Sequence, residues 1–150
     1  MVESDEDMFD PREMDSVHTM FRREFSLMGP LVRGVEPTDH ARTSTVADHI
    51  ELFVTTLREH HGFEDDRIWP TLLERVGPLI TPDVRRAASQ HSQLEDALAD
   101  VEATLAPFRR TAADSGAGLA AALDSLLPIL LEHMEFEEAH VVPLMQIHVS

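Results

Sequence analysis

Apolar residues recur at helical spacing in four long segments of this 150-residue chain. In each segment they occupy one face of a predicted helix, and polar residues occupy the remaining faces. No segment alternates between apolar and polar residues with a period of two, as a half-buried strand would. The stripes of the second and third segments consist of Ile50, Phe53, Val54, Leu57, Ile68, Leu72 and Leu73, and of Val84, Ala87, Ala88, Leu94, Leu98 and Val101. The pattern predicts an all-α chain.

Capping residues and prolines predict where the four helices begin and end. Asp10 before Pro11 is typical of a helix start, and the first helix should run to about Val35 with a bend or interruption at Gly29–Pro30. The other predicted boundaries are Pro37-Thr38-Asp39 for the second helix, Thr81-Pro82-Asp83, with the same capping chemistry, for the third, and Ser115–Gly116 between the third and fourth. Short connections favour an up-down-up-down antiparallel four-helix bundle at 10–150, preceded by an acidic tail at 1–9.

The histidines indicate that one helical hairpin occurs twice in the chain. His18 and His91 are separated by 73 positions, and so are His60 and His133. At the same offset HHGFEDDRIWP aligns with HMEFEEAHVVP, so that each histidine of the second pair is followed by a glutamate four residues later. Packing requires only apolar residues of suitable size, so it gives no reason to repeat this polar pair. The repeat therefore predicts two copies of one hairpin that share a binding function.

A metal site explains why these polar residues are repeated. Residues four apart on a helix differ by only about 40° around its axis, so each His-x-x-x-Glu pair should project into the bundle. The single histidines of the first and third helices can lie at the same level. Buried carboxylates are costly unless their charge is compensated, and two cations would compensate it. Imidazole and carboxylate ligands without sulfur suit iron, manganese or zinc. The predicted ligands are His18, His60, Glu64, His91, His133 and Glu137.

From Asp10 to about Met145 these residues resemble the hemerythrin-like HHE cation-binding family. Members of that family are four-helix bundles with a non-haem di-iron centre, held by His, His-x-x-x-Glu, His, and His-x-x-x-Glu or Asp on successive helices. The resemblance implies two iron ions in an oxo- or hydroxo-bridged centre, in preference to zinc or manganese. It also implies that the protein binds a small ligand such as dioxygen, peroxide or nitric oxide.

One position departs from the oxygen-carrying hemerythrins. These proteins have a second histidine one turn before the third-helix ligand, and this chain has Ala87 there. The loss of a ligand weakens the case for reversible oxygen carriage and favours sensing, iron handling or peroxide detoxification. It also predicts that the metal nearer Ala87 is the more weakly held one, with open positions for water or a small molecule.

Several other residues near the motif remain open as ligands or have ordinary roles. Glu138 is an alternative to Glu137, because some hemerythrins have a spacing one residue longer on the last helix. His140 could be a supporting group or replace the missing ligand, although its repeat counterpart is Arg67. Ordinary surface or core roles are expected for His40, His49, His61 and His148. The ferritin-like Glu-x-x-His pattern fails, because the first half offers only Glu64-x-x-Arg67.

Composition limits the partners and the cellular location. The chain has no cysteine, no lysine and a net charge of -16, which argue against thiolate chemistry and against binding to nucleic acid or anionic lipid. No apolar run is expected to span a membrane, so a cytoplasmic protein is predicted. Two other functions stay open: a catalase-like enzyme that decomposes peroxide, and an interaction module that binds zinc or no metal. The sequence does not predict an oligomeric state.

Overall fold

The computed structural model describes residues 10–148, with the backbone alone at 112–115. The acidic tail predicted at 1–9 lies outside the described residues. Within 10–148 the regular structure is entirely helical. Its elements are α1 (Pro11–Arg33), α2 (His40–Phe63), a π-helical segment (Glu64–Ile68), α3 (Trp69–Val76), a 3-10 turn (Pro78–Ile80), α4 (Thr81–Arg110), α5 (Ala112–His140) and α6 (Val142–His148).

Four long helices form the predicted bundle. The second of them is composite, because α2, the π segment and α3 follow one another without a break. Helix α1 packs against α2 and α5, and α4 packs against the same two helices. Since α1 and α4 are the first helices of the two hairpins, each lies between the two second helices. The expected four-helix bundle of two hairpins is confirmed.

The starts of the helices follow the predicted chemistry in two of three cases. The Asp10 carboxylate accepts a hydrogen bond from the backbone N–H of Arg12 at 2.9 Å, and Asp39 accepts one from Arg42 at 2.9 Å. Each bond satisfies a backbone donor that a helix start leaves unpaired. Helix α4 does begin at Thr81, but no side chain caps it. The 3-10 turn leads directly into this helix, so the capping predicted there is wrong.

Two predicted interruptions are also corrected. Helix α1 continues through Pro30 to Arg33, so the interruption expected at Gly29–Pro30 is absent, and a bend there stays a prediction. A Cβ atom at Gly29 would lie 2.9 Å from the Asp124 carboxylate and 3.0 Å from the Arg33 guanidinium, the ends of two exposed side chains that can move aside. The third and fourth helices are separated at Thr111, which is extended, and not at Ser115–Gly116, which belongs to α5. A glycine in the first turns of a helix weakens it without ending it.

Both second helices change their backbone pattern immediately after the predicted carboxylate ligands. Glu64 opens the π segment, at the end of which the Trp69 N–H donates to the Glu64 carbonyl. Pro70 follows in α3 and has no N–H to donate, so the wider π turn accommodates it. In the second hairpin α5 ends at His140, and α6 carries Pro143. The prolines therefore lie where the bundle helices are reshaped beyond the predicted ligands.

The core consists of two apolar clusters with a polar layer between them. The larger apolar cluster fills most of the bundle and includes Phe21, Phe25, Met28, Leu57, Leu94, Leu98, Phe108, Leu126 and Leu130. The smaller apolar cluster includes Met14, Ile68, Trp69, Leu72, Ala87, Phe136, Val141 and Met145. Along each long helix the predicted ligands fall between residues of the two clusters. The layer is consequently enclosed by apolar side chains at both of its faces.

The segment Gly116–His148 is long and apolar enough to cross a membrane, judged by length and composition alone. The expectation that no apolar run is long enough to span a bilayer is therefore wrong as far as length is concerned. The core helix of a soluble protein has the same properties, so a single such helix is weak evidence for a membrane span. Here α5 packs against α1 and α4 and carries His133 and Glu137, both fully buried.

Candidate metal centre

All six predicted ligands meet in the layer between the two apolar clusters. Helix α1 contributes His18, the second bundle helix contributes His60 and Glu64, α4 contributes His91, and α5 contributes His133 and Glu137. Both carboxylates are 0% exposed, and the least buried member, His60, is 15% exposed. Among the described residues, two groups of histidine and glutamate side chains have ligand atoms that converge. We call these groups the first pocket and the second pocket.

The first pocket consists of His18, His60 and Glu137. One ligand atom from each side chain lies within 4.8 Å of the others. His18 Nε2 is 3.4 Å from Glu137 Oε1, and the rings of His18 and His60 meet edge to face with their centroids 6.0 Å apart. Three elements of the bundle, α1, α2 and α5, therefore hold this pocket together.

The second pocket consists of His61, Glu64, His91 and His133. His91 Nε2 lies 3.5 Å from Glu64 Oε1 and 3.0 Å from His133 Nε2. His61, for which the sequence predicted an ordinary role, has its ring stacked on that of His91. The layer therefore gathers a seventh polar side chain that the repeat did not indicate.

Each pocket combines the repeated histidines of one hairpin with the glutamate of the other hairpin. The first pocket takes its histidines from the first hairpin and Glu137 from the second, whereas the second pocket takes Glu64 from the first hairpin. Each carboxylate also contacts the other pocket. Glu64 Oε1 is 3.4 Å from His60 Nε2, and Glu137 Oε1 is 2.9 Å from His133 Nε2. Both carboxylates therefore lie between the pockets, where each could bridge two cations.

Carboxylates outside the layer fix the orientation of two imidazoles. His18 Nδ1 lies 3.1 Å from Glu138 Oε2, and His91 Nδ1 lies 2.9 Å from Asp65 Oδ1. Glu138 and Asp65 are counterparts in the repeat, each one residue after a predicted ligand. A carboxylate accepts the Nδ1 proton, which leaves the Nε2 lone pair directed into the layer, as in metal-binding histidines. Glu138 thus contacts the outward nitrogen of His18, so it is placed to orient this ligand.

Different neighbours support the outer partners in the two pockets. Arg22 Nη2 donates to both oxygens of Glu138 at 2.5 and 2.7 Å. Partial burial raises the pKa of Glu138, but the hydrogen bonds from Arg22 and His18 outweigh this effect and lower the pKa overall. In the second pocket His133 Nδ1 donates to Gln90 Oε1 at 2.7 Å. Gln90 was not predicted from the sequence, because its repeat counterpart is the apolar Val17.

Burial keeps most of these imidazoles neutral. It lowers the pKa of His60, lowers that of His61 well below its usual range and lowers that of His133 to about 2. Burial also disfavours charge on His91, but hydrogen bonds and charges from Glu64 and Asp65 outweigh it and raise the pKa of His91. A neutral imidazole has the free lone pair that a metal ligand requires.

Most inward atoms of the layer lack hydrogen-bond partners; the exceptions are His91 Nε2 and His133 Nε2, which lie 3.0 Å from each other. Within the described part of the chain, the buried side-chain atoms without such a partner are His18 Nε2, His60 Nε2, both carboxylate oxygens of Glu64 and of Glu137, and Trp69 Nε1. All but the last belong to the predicted ligands. The 2.9 Å contact between His133 Nε2 and Glu137 Oε1 lacks hydrogen-bond geometry. Unpaired imidazole nitrogens therefore lie close to unpaired carboxylate oxygens, and buried polar atoms of this kind are costly unless they gain a partner such as a cation.

The spacing of these atoms also fits metal ligation. Atoms that each lie about 2.1 Å from one ion are separated by about 3.0 to 3.4 Å when their bonds are at 90° or tetrahedral angles. The contacts from His18 to Glu137 and from His91 to Glu64 are 3.4 and 3.5 Å. The histidine and glutamate cluster could therefore hold a metal in each pocket.

Comparison with protein families gives the same assignment. The model of the Hemerythrin HHE cation binding domain matches residues 11–145. The chain belongs to this family. Comparisons with curated proteins and with solved structures found no match.

Ala87 occupies the position at which the oxygen-carrying hemerythrins have a histidine, and the structure shows its surroundings. Ala87 is fully buried in the smaller apolar cluster, one turn before His91. The second pocket next to it nevertheless contains four candidate ligands, whereas the first contains three. The expectation that the metal nearer Ala87 is the more weakly held one stays a prediction, and the number of candidate ligands does not favour it. His61 supplies the additional imidazole.

The remaining histidines lie outside both pockets. His49 Nε2 is 3.0 Å from Glu24 Oε2, away from the layer. His140 is exposed, with its ring 5.1 Å from that of Phe136, so it does not replace the missing hemerythrin ligand. His40 is the first residue of α2, and His148 is the last of α6. Only His61 among the histidines assigned ordinary roles belongs to a candidate metal pocket.

Proposed function

We propose that the protein is a non-haem di-iron protein that binds dioxygen, peroxide or nitric oxide and acts in sensing, iron handling or peroxide detoxification. The observation that carries this proposal is the position of Glu64 and Glu137 between the two pockets. Because Glu64 and Glu137 each contact histidines of both pockets at 2.9 to 3.5 Å, two cations held there would share both carboxylates. Two-metal sites have this arrangement, with ions about 3.5 to 4 Å apart.

Iron is the metal that we propose. Imidazole and carboxylate groups without sulfur bind iron, manganese and zinc, and the resemblance to hemerythrins supports iron. Bound iron would supply the redox chemistry and the open coordination position that a small molecule needs. The protein supplies the neutral imidazoles, the shared carboxylates and the apolar clusters that keep bulk water out of the layer.

The first pocket is the proposed site for the small molecule. It has three candidate ligands, so a cation there would have more free positions than one in the second pocket. Phe21 is fully buried, and its ring lies 5.7 Å from that of His60. An apolar wall beside an open position favours a small, weakly polar ligand over bulk water.

We further propose that the protein is cytoplasmic and binds neither nucleic acid nor membrane. The net charge of -16 supports this, because phosphate-rich surfaces repel an acidic protein.

Metal analysis with optical spectroscopy tests the proposed function. Protein reloaded with Fe²⁺ without oxygen should contain about two irons per chain, as a shared-carboxylate centre requires. Exposure to air or peroxide should then produce an absorption spectrum that azide or nitric oxide changes. His18→Leu should reduce the iron content and weaken the response to azide, whereas His49→Leu, which alters a histidine–glutamate contact outside the layer, should leave both unchanged.

Three results would contradict parts of this proposal. Purification with zinc and no uptake of iron would favour a zinc site, and no metal uptake at all would favour an interaction module. Rapid evolution of oxygen from peroxide by iron-loaded protein would identify a catalase-like enzyme and exclude sensing or iron handling as the main role.

A further inference from the structure

His61 lies beside the predicted ligand His60 but faces the other pocket. Neighbouring residues on a helix point about 100° apart around its axis. Helix α2 lies between α1 and α4, so this angle is enough to direct the two side chains to different partners. His60 faces His18 of α1, and His61 faces His91 of α4. Two adjacent histidines can therefore serve two different pockets.

The contacts of His61 are those of a member of the second pocket. Its ring stacks on that of His91 with centroids 4.3 Å apart and an interplanar angle of 24°. It also meets His133 edge to face at 5.1 Å. One ring nitrogen of His61 lies within 4.8 Å of ligand atoms on Glu64, His91 and His133. The four side chains therefore form one group that could hold a common ion.

The surroundings of His61 differ from those of a histidine that only fills space. Its repeat counterpart is Met134, which packs in the larger apolar cluster. The chain therefore has an imidazole where the other hairpin has an apolar side chain. The side chain of His61 is buried, so the imidazole lies inside the layer with the other members of the second pocket.

We propose that His61 is a metal ligand of the second pocket, where it supplies the third imidazole beside His91 and His133. This inference rests on the proposed function, because it assumes that the layer binds metal. It makes the centre asymmetric: a cation in the second pocket has more protein ligands and is held more tightly, and a cation in the first pocket is the more open one. The seventh ligand thus enters from α2, whereas the oxygen carriers place theirs at the position of Ala87.

Stepwise titration of the apo protein with Co²⁺ or Fe²⁺ under anaerobic conditions tests the assignment. Wild type should bind two equivalents of metal. His61→Leu should bind one equivalent with at least tenfold lower affinity and retain the other. His140→Leu is the matched control, because it removes an exposed histidine that contacts a phenylalanine outside the pockets, and it should titrate like wild type.

Two results separate the possible failures. If wild type binds two equivalents and His61→Leu binds both with unchanged affinity, then His61 is not a ligand, although the proposed function survives. If wild type binds no metal, the proposed function fails and the assignment of His61 fails with it.

A second measurement needs no substitution and so avoids any effect on folding. X-ray absorption of wild-type protein with one equivalent of Co²⁺ counts the imidazoles around the tightest site by their multiple scattering. Occupation of the second pocket with His61 as a ligand gives three imidazoles per ion, and a count of two overturns the proposal.

Discussion

The first and second pockets contain equivalent residues of a repeat, yet they differ in the number and support of their ligands. In the first pocket His18 is oriented by Glu138, which Arg22 holds in place. The second pocket has Asp65 in the equivalent position, together with two groups that have no polar counterpart in the other half. Gln90 corresponds to Val17, and His61 corresponds to Met134.

If both pockets bind metal, this difference would make the two sites of a repeated hairpin unequal. The duplicated residues supply one single histidine, one paired histidine and one carboxylate to each pocket, which would make two like sites. Two further polar residues, both contacting the second pocket, are enough to make the sites unlike. A saturated cation can then anchor the shared carboxylates while its neighbour keeps open positions for a small molecule.

The shared carboxylates connect the pockets, so removal of one should have the largest effect. Glu64→Ala should abolish tight binding of at least one metal and weaken the other. It should cost the apo protein little stability or even raise it, because the buried carboxylate has no hydrogen-bond partner among the described residues. A metal at 100 times its Kd stabilises the wild type by about 2.7 kcal/mol. That gain corresponds to about 5 to 10 °C in Tm for a chain of this size.

Thermal melts of apo and metal-loaded protein check this prediction. Glu59→Ala, an exposed glutamate five residues earlier on the same helix, is the control and should keep the full gain of the wild type. An equal metal-dependent rise in Tm for wild type and Glu64→Ala would rule out Glu64 as a shared ligand.

The repeat was sufficient to predict much of the fold and the positions of six residues in the layer. Periodicity and capping residues located the helices, and the offset of 73 brought His18, His60, His91 and His133 to one level. These signals are local or internal to the chain, so they need no knowledge of packing. Whether the six residues bind metal stays a prediction.

The asymmetry was not predictable from the repeat, because the residues that create it are those that break the pattern. His61 lies next to a predicted ligand, and its role depends on α2 being packed between α1 and α4. Gln90 precedes His91, but it contacts His133 on another helix. The end of α4 was misplaced for a different reason: glycine lowers helix stability only modestly, and tertiary packing overrides that preference.

Gln90 provides a selective way to weaken the second pocket. Gln90→Leu removes the acceptor of the His133 Nδ1 proton, so the ring loses the bond that fixes its orientation. Loss of such outer partners lowers metal affinity by about 10- to 100-fold. We expect this loss for the metal of the second pocket and little change for the other metal.

Competition titrations with a chromophoric chelator measure both affinities. Gln93→Leu makes the same exchange at an exposed position of α4 and should behave like wild type. Equal weakening of both metals by Gln90→Leu would indicate that the pockets do not bind independently enough to be distinguished, and no weakening would show that the hydrogen bond does not support a ligand.

Ala87→His should have the smallest effect on metal binding, although it introduces the histidine of the oxygen carriers. With an empty position in the second pocket, the new imidazole would tighten the metal there. If His61 already supplies the third imidazole, the new side chain finds no vacant place. Ala87 is fully buried against the smaller apolar cluster, so the larger ring should cost the fold about 1 to 3 kcal/mol through overpacking. We therefore expect a lower Tm of the apo protein, unchanged affinity for both metals, and wild-type behaviour of the exposed control Ala88→His. Thermal melts and metal titrations measure these effects, and tighter binding of the second metal in Ala87→His would show that the pocket lacks a ligand and that His61 does not fill it.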